Sequence, residues 1–220
     1  MKLPKVVYVM GPPGAGKGTQ AEFLAQELGY HRFSTGDAFR ALARQDSDLG
    51  RKVKETIDNG WLMPPEDAAA VVIAAVQEHL DAGRGLVFDG TPRTVKEAQM
   101  VDDFFVAQGY GRPLAMYLKV DKEDMLERNS KRQFCLDIDG DFPVVSSEDT
   151  DKCLELGGRV GTRPDDEPEK FATRWQEFMD QTYPVIEKYE GEGILHILDG
   201  KLAVPAVREA VRALIGQFDS

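Results

Sequence analysis

Short apolar runs alternate with stretches of helical spacing along this chain, a pattern that predicts a parallel β-sheet covered by helices on both faces. Residues 5–10 are a β-branched run that stops at a cluster of glycines, the first predicted strand. Residues 16–28 carry Ala21, Leu24, Ala25 and Leu28 at helical spacing. A strand is expected over 30–34, then two helices within 37–59, broken near Asp46-Ser47-Asp48. Pro64-Pro65-Glu66-Asp67 opens a helix to about Asp81, because a first turn needs no amide donors. Strands recur at 86–88, ending on Asp89, at 114–120 and at 194–198. Further helices are expected over 94–108, 121–133 with Asp121 as cap, 167–189 and 204–217. Pro184 should bend the third of these or end it early. The sum is about five strands in an α/β fold.

Residues 134–164 break the alternation. They are rich in Asp, Gly and Ser, and a structureless loop of that length inside a compact domain is unusual, so they read as an inserted small lid. Asp137, Asp139, Asp141 and Glu148 loosely imitate a calcium loop, but Phe142 stands where its glycine belongs, which leaves a solvated acidic turn.

Composition narrows the functional classes. The 220 residues are 42% hydrophobic and 30% charged, a globular balance. Acids outnumber Lys and Arg by 38 to 27, for a net charge of −11. That field repels polyanions and argues against a general nucleic-acid or membrane-surface binder. No apolar run approaches the ~20 residues of a membrane span. The opening residues are too short for a signal sequence, and Cys135 and Cys153 do not make a disulfide framework, so a cytoplasmic protein is expected.

The chemistry begins at Gly11-Pro12-Pro13-Gly14-Ala15-Gly16-Lys17-Gly18-Thr19, between the first strand and the first helix. Glycines allow a tight bend whose amides form an anion nest, and the helix N-terminus adds partial positive charge. Lys17 can reach β and γ phosphates, and Thr19 is the nearest hydroxyl for Mg²⁺. Ser34-Thr35-Gly36-Asp37 lies at a strand end, with Arg40 one turn into the next helix. Asp89 ends a buried strand, where a carboxylate needs a partner or a metal, and a role in holding Mg²⁺ waters fits it. Gly90 permits close backbone approach, and Arg93 offers a planar phosphate donor.

With Gly16-Lys17-Gly18-Thr19-Gln20, Ser34-Thr35-Gly36-Asp37 and Asp89-Gly90-Thr91-Pro92-Arg93-Thr94, the chain resembles the long-lid adenylate kinases from Lys5 through the last helix. The resemblance implies a P-loop kinase fold with core residues 1–33, 64–133 and 165–220, a nucleoside monophosphate-binding domain over 34–63 and a lid over 134–164. It implies reversible phosphoryl transfer from ATP to AMP, giving two ADP, with Mg²⁺. Gly14, Ala15, Gly16, Lys17, Gly18, Thr19, Arg128, Arg132 and Lys201 would hold ATP. Thr35, Arg40, Met63, Gly90, Arg93, Glu97, Arg163 and Arg174 would hold AMP. Lys17, Arg93, Arg132, Arg163 and Arg174 would act on the transferring group, with Thr19 and Asp89 near the metal and Asp165 and Asp166 at the lid hinge. A monomer is expected, with no nucleic-acid or membrane partner.

Several positions depart from the family. Thr91 stands where it usually has Phe, and Glu97 where it has a Gln that can both donate to and accept from adenine. A carboxylate only accepts, which leaves GMP or a pyrimidine monophosphate open as alternative acceptors, and a non-catalytic nucleotide sensor as a third reading. In the lid, the cysteines match only the first of each of two metal-ligand pairs, and Ile138 and Leu156 occupy the others, so no zinc is expected. An apolar lid core of Phe142, Val144 and Leu156 is expected instead. Trp61 and Trp175 should pack in the acceptor domain and under the long helix, and His31, His79 and His196 show no metal or triad spacing.

Overall fold

Strands apolar on both faces need a layer of helices on each side. The computed structural model, which describes residues 3–138, 141–163 and 168–218, has that arrangement. The chain runs β1 (Val6–Met10), α1 (Lys17–Leu28), β2 (His31–Ser34), α2 (Thr35–Ala43), α3 (Asp48–Asp58) and α4 (Pro65–Asp81). It continues through β3 (Leu86–Asp89), α5 (Val95–Ala107), β4 (Leu114–Lys119) and α6 (Lys122–Lys131). Then come β5 (Gln133–Leu136), β6 (Phe142–Val144), α7 (Ser147–Glu155) and β7 (Arg159–Gly161). It closes with α8 (Pro168–Glu177), a π turn (Phe178–Thr182), α9 (Tyr183–Gly191), β8 (Leu195–Asp199) and α10 (Val204–Gly216).

Five parallel strands form the main sheet in the order β2-β3-β1-β4-β8. β1 is buried throughout, and the strand period of two divides it between two cores. Val6, Tyr8 and Met10 pack with Phe88, Phe105 and Tyr189 under α4, α5 and α9. Val7 and Val9 pack with Leu24, Met125 and Val211 under α1, α6 and α10. The Tyr8 hydroxyl donates to Asp102 at 2.8 Å, and Tyr189 donates to the same carboxylate, which pins β1 between α5 and α9. A third cluster, Phe39, Val53, Met63 and Ala68, holds α2 and α3 against α4.

The strands end within one residue of where the patterning placed them, but four expectations fail. Pro184 does not end the long helix early. α8 widens into the π turn, and Pro184 falls in the first turn of α9, where a missing amide costs little. Asp121 occupies the cap position of α6, yet its carboxylate pairs with Lys201 instead of the helix amides. Trp61 is 53% exposed, at the end of the segment that follows α3.

The lid is the fourth correction. β6-β5-β7 form an antiparallel sheet, and Cys135 of β5 is disulfide-bonded to Cys153 of α7. Both cysteines are fully buried beside Phe134 and Leu136, whereas Leu156 is 56% exposed and Phe142 and Val144 only half-buried. The covalent bond supplies what so small an apolar cluster cannot. Among the described residues, no helix is long and apolar enough to cross a membrane.

Reducing the disulfide, or Cys135→Ser with Cys153→Ser, is expected to cost the lid about 3 kcal/mol, the chain entropy set by an 18-residue separation. Hydrogen exchange at β5 and α7, with and without a phosphine reductant, measures the loss; the main sheet should keep its protection.

Candidate active site

The glycine loop leaves β1 at the carboxyl edge of the sheet. Gly14 and Gly16 take φ of 83° and 88°, a left-handed geometry that a Cβ would strain. Lys17 opens α1, and its Nζ donates to the Pro12 carbonyl at 2.9 Å. Burial pushes the Lys17 ammonium down to about 7; the charges of Arg93, Arg174 and Arg132 push the same way, and Asp89 opposes them.

Parallel register brings the other strand ends to the same edge. Val9 of β1 and Ser34 of β2 both lie opposite Asp89 of β3. Gly18 lets that edge close up: a Cβ there would stand 3.0 Å from Asp89 Oδ2 and 3.3 Å from the Arg32 guanidinium. The extra glycine between Lys17 and Thr19 thus has a steric reason. Arg32 donates to Asp89 at 2.9 Å, so the strand-end carboxylate is paired. Thr19 and Asp89 supply hydroxyl and carboxylate oxygens, the hard donors that Mg²⁺ accepts. Among the described residues no group of three or more His, Cys, Asp or Glu could hold an ion alone, so a Mg²⁺ here would take its other ligands from phosphates and water.

Cations converge on this edge. Burial and the neighbouring Arg174 lower the pKa of Arg93, whose Nε donates to the Gly90 carbonyl at 2.7 Å. Arg174 packs over Gly60. Asp37 gathers two more arginines: Arg40 hydrogen-bonds to it, and Arg163 stands 4.0 Å away. Burial works against the charged form of Asp37, but Arg40 and the Ser34 hydroxyl hold its pKa below the ordinary value. In the lid, Phe134 lies between two guanidinium groups, Arg163 at 3.6 Å and Arg132 at 4.6 Å from its ring centre. Asp141 braces Arg163 and also takes a 2.8 Å bond from Arg44, which caps the C-terminus of α2.

Arg128 and Lys201 meet elsewhere. The Arg128 guanidinium grips the loop after β8, donating to the carbonyls of Gly200 at 2.8 Å and Lys201 at 3.0 Å. The Lys201 ammonium turns to Asp121. Asp165 and Asp166 lie outside the described residues, as does Asp139.

A cleft runs from Lys17 and Gly11 past Arg40, Arg93 and Arg174 to apolar walls of Phe39, Ile57 and Met63. Thr35, Thr91 and Glu97 line it while almost wholly buried, and Gly90 and exposed Trp61 border it. Glu97 also takes part in the N-terminal cap of α5, whose cap residue is Thr94. The Thr94 hydroxyl accepts the Glu97 amide, and Glu97 Oε2 accepts the Arg93 amide at 2.8 Å. Burial raises the pKa of Glu97, against the Arg93 amide and charge and the Thr91 hydroxyl, which favour the carboxylate.

Three residues in or behind the cleft escaped the sequence reading. Thr94-Val95-Lys96-Glu97 has capping-box spacing, a signal that was there to be used. Arg32, two positions before Ser34 in the predicted strand, was a detectable partner for a strand-end carboxylate. Thr182, whose hydroxyl donates to the Arg93 carbonyl at 2.9 Å, reaches the cleft only through the π turn, which no residue pattern marks.

The family model described as adenylate kinase matches residues 9–194. The adenylate kinase of Desulforamulus reducens is 36% identical over 206 residues, covering 91% of this chain and 95% of its own. That of Bacillus licheniformis is 35% identical over 218 residues, covering 97% and 99%. That of Thermotoga petrophila is 34% identical over 213 residues, covering 96% and 96%.

Polyphosphate binding should draw a proton onto Lys17. A neighbouring polyanion raises an ammonium that otherwise titrates near 7, so uptake approaches about one proton at pH 8 and declines toward pH 6. Calorimetry of nucleoside triphosphate binding in buffers of different ionisation enthalpy measures this, and Lys17→Met should remove it.

Proposed function

This chain belongs to the adenylate kinase family, and from that premise we propose that it carries the terminal phosphoryl group of ATP to AMP, reversibly and with Mg²⁺, giving two ADP. The observation that carries the reading is the gathering of Arg93, Arg132 and Arg174, whose charges all bear on Lys17 beside the glycine loop. Nothing but a highly charged anion would reward so costly an arrangement.

The acceptor is a phosphate oxygen, mostly dianionic at neutral pH because its second pKa is near ~6, so no general base is needed. The barrier is alignment and charge. The loop amides of residues 14–19 and Lys17 would cradle the donor phosphates, with Arg128 and Lys201 at the nucleoside end of ATP. Arg40 and Arg93 would hold the acceptor phosphate, and Thr35, Met63, Gly90 and Glu97 its nucleoside. Arg132, Arg163 and Arg174 would neutralise charge on the transferring group from the lid and long-helix sides. Bound near Thr19 and Asp89, Mg²⁺ would supply charge neutralisation of the β and γ oxygens. Closing residues 134–164 over residues 34–63 would keep out the water that would otherwise hydrolyse ATP.

We also propose a cytoplasmic monomer. Burial of both sulfurs supports survival of the disulfide there, since thiolate attack needs access to a sulfur.

A coupled assay of ADP release with Mg-ATP and AMP tests the reaction. Lys17→Met is expected to lower kcat by about a thousandfold. Its melting temperature should hold or rise, because a buried cation surrounded by arginines has been removed. Transfer undiminished in that variant would sink the assignment, as would ATP binding without transfer to AMP in the parent protein.

A further inference from the structure

Asp37, Arg40 and Arg44 stand at the spacing of one helical face along α2, with Arg44 at its C-terminal cap. The lid meets both ends of that row with the opposite charge. Arg163, just past β7, stands 4.0 Å from Asp37. Asp141, just before β6, takes the 2.8 Å hydrogen bond from Arg44. Asp141 thus divides its oxygens between two parts of the molecule. Oδ1 faces the Arg44 guanidinium at the end of α2, and Oδ2 faces Nε of Arg163 within the lid at 3.6 Å. The Arg163 guanidinium also donates to the Asp141 carbonyl at 3.4 Å. The Asp141 side chain is only 7% exposed, where a carboxylate is costly unless its charge is matched. The Arg44 side chain is 47% exposed, so it can exchange this partner for water. Full matching of Asp141 therefore exists only while the lid lies against α2.

We propose that Arg44 and Asp141 are positioning residues for phosphoryl transfer: their pair docks the lid on the end of α2 and, through the second oxygen of Asp141, sets the Arg163 guanidinium for the cleft. The inference rests on the kinase reading above and adds to it two residues that touch no phosphate. Phe134 fixes the plane of Arg163, 3.6 Å from the ring centre, but a flat face does not stop a guanidinium from sliding. Asp37 is already hydrogen-bonded to Arg40. Asp141 offers a carboxylate to Nε and a carbonyl to a terminal nitrogen, two points that stop the slide. With Arg44 holding Oδ1, the carboxylate is turned so that Oδ2 meets Arg163. Lid docking and the setting of a cation for the transferring group then become one event. The Arg44 contact is the weaker half, because water screens a half-exposed partner, whereas the contact of Asp141 with Arg163 is shielded on both sides.

A double-mutant cycle read in two ways tests this. Single-turnover transfer from Mg-ATP to AMP, which precedes product release, is measured for the parent protein, Asp141→Asn, Arg44→Ala and the double variant. Asp141→Asn should slow transfer by about tenfold, the effect of a misplaced guanidinium. Arg44→Ala should slow it by about threefold, since it removes a screened partner. The double variant should be no slower than Asp141→Asn, because both residues act through one contact. The second reading is distance. Spin labels on Glu55→Cys in α3 and Glu148→Cys in α7, both exposed, report the separation of lid and helix pair by pulsed electron resonance at saturating Mg-ADP. The native cysteines are joined to each other and take no label. Arg44→Ala should move the distribution toward longer distances. A merely structural pair would leave that distribution in place, which overturns the proposal, as do losses that multiply in the double variant or single variants that transfer at the parent rate. If Asp141→Asn does not fold, Arg44→Ala decides by rate and distance together. Absence of transfer in the parent protein would sink the kinase assignment beneath, while the label distances, which need only nucleotide binding, would still report the docking.

Discussion

Repulsion of Lys17 by Arg93, Arg132 and Arg174, and of Arg93 by Arg174, is what the surrounding structure must hold in check. Like charges in a partly dry space drift apart unless each is anchored from behind. The anchors here differ in kind. Lys17 is held by a helix start and a carbonyl, Arg93 by the Gly90 carbonyl, Arg132 and Arg163 by one phenyl ring, and Arg174 by its place on a rigid helix over Gly60. Carboxylates sit just outside the ring. Asp37 joins Arg40 and Arg163, and Asp89 joins Arg32. They steady the cations without filling the space between them. A chain with net charge −11 can in this way present a local positive field to polyanions.

Much of this was legible in the residues, for a physical reason. An anion nest needs glycines, a lysine and a helix start in fixed order, so residues 11–19 announce themselves. Buried parallel strands read as apolar runs, so the sheet and its carboxyl edge were visible. Arg40 and Arg93 followed because each stands just after such a run. Features that depend on distant pairing did not show. Two cysteines separated by a β-strand, a turn and a helix give no hint that their sulfurs meet, and their match to half of a metal site drew attention to zinc instead. Glu97 was read for the chemistry of its carboxylate alone. Its capping role, which ties one oxygen to the Arg93 amide, needed Thr94 to be read with it.

The lid shows how a covalent bond can substitute for an extended core. Its buried apolar content is little more than Phe134, Leu136 and the two sulfurs. Yet Phe134 must keep two guanidinium groups against its faces, which demands a stiff strand beneath it. Cys135 is its neighbour on β5, so the disulfide to α7 stiffens the very strand that bears the arginine platform.

The π turn between α8 and α9 has a geometric consequence for this wall of the cleft. In a regular helix every fourth residue slips sideways around the axis. A turn closed by i→i+5 bonds holds an extra residue and cancels the slip. Arg174, Phe178 and Thr182 therefore stand in file along the cleft, while Val185, Ile186 and Tyr189 still meet the sheet core. The widened turn works as a phase adjuster between two halves of one rod, the first aligned to a ligand and the second to the core. Removing a single residue from it would put one half out of step with its surroundings, whichever half the chain chose to keep.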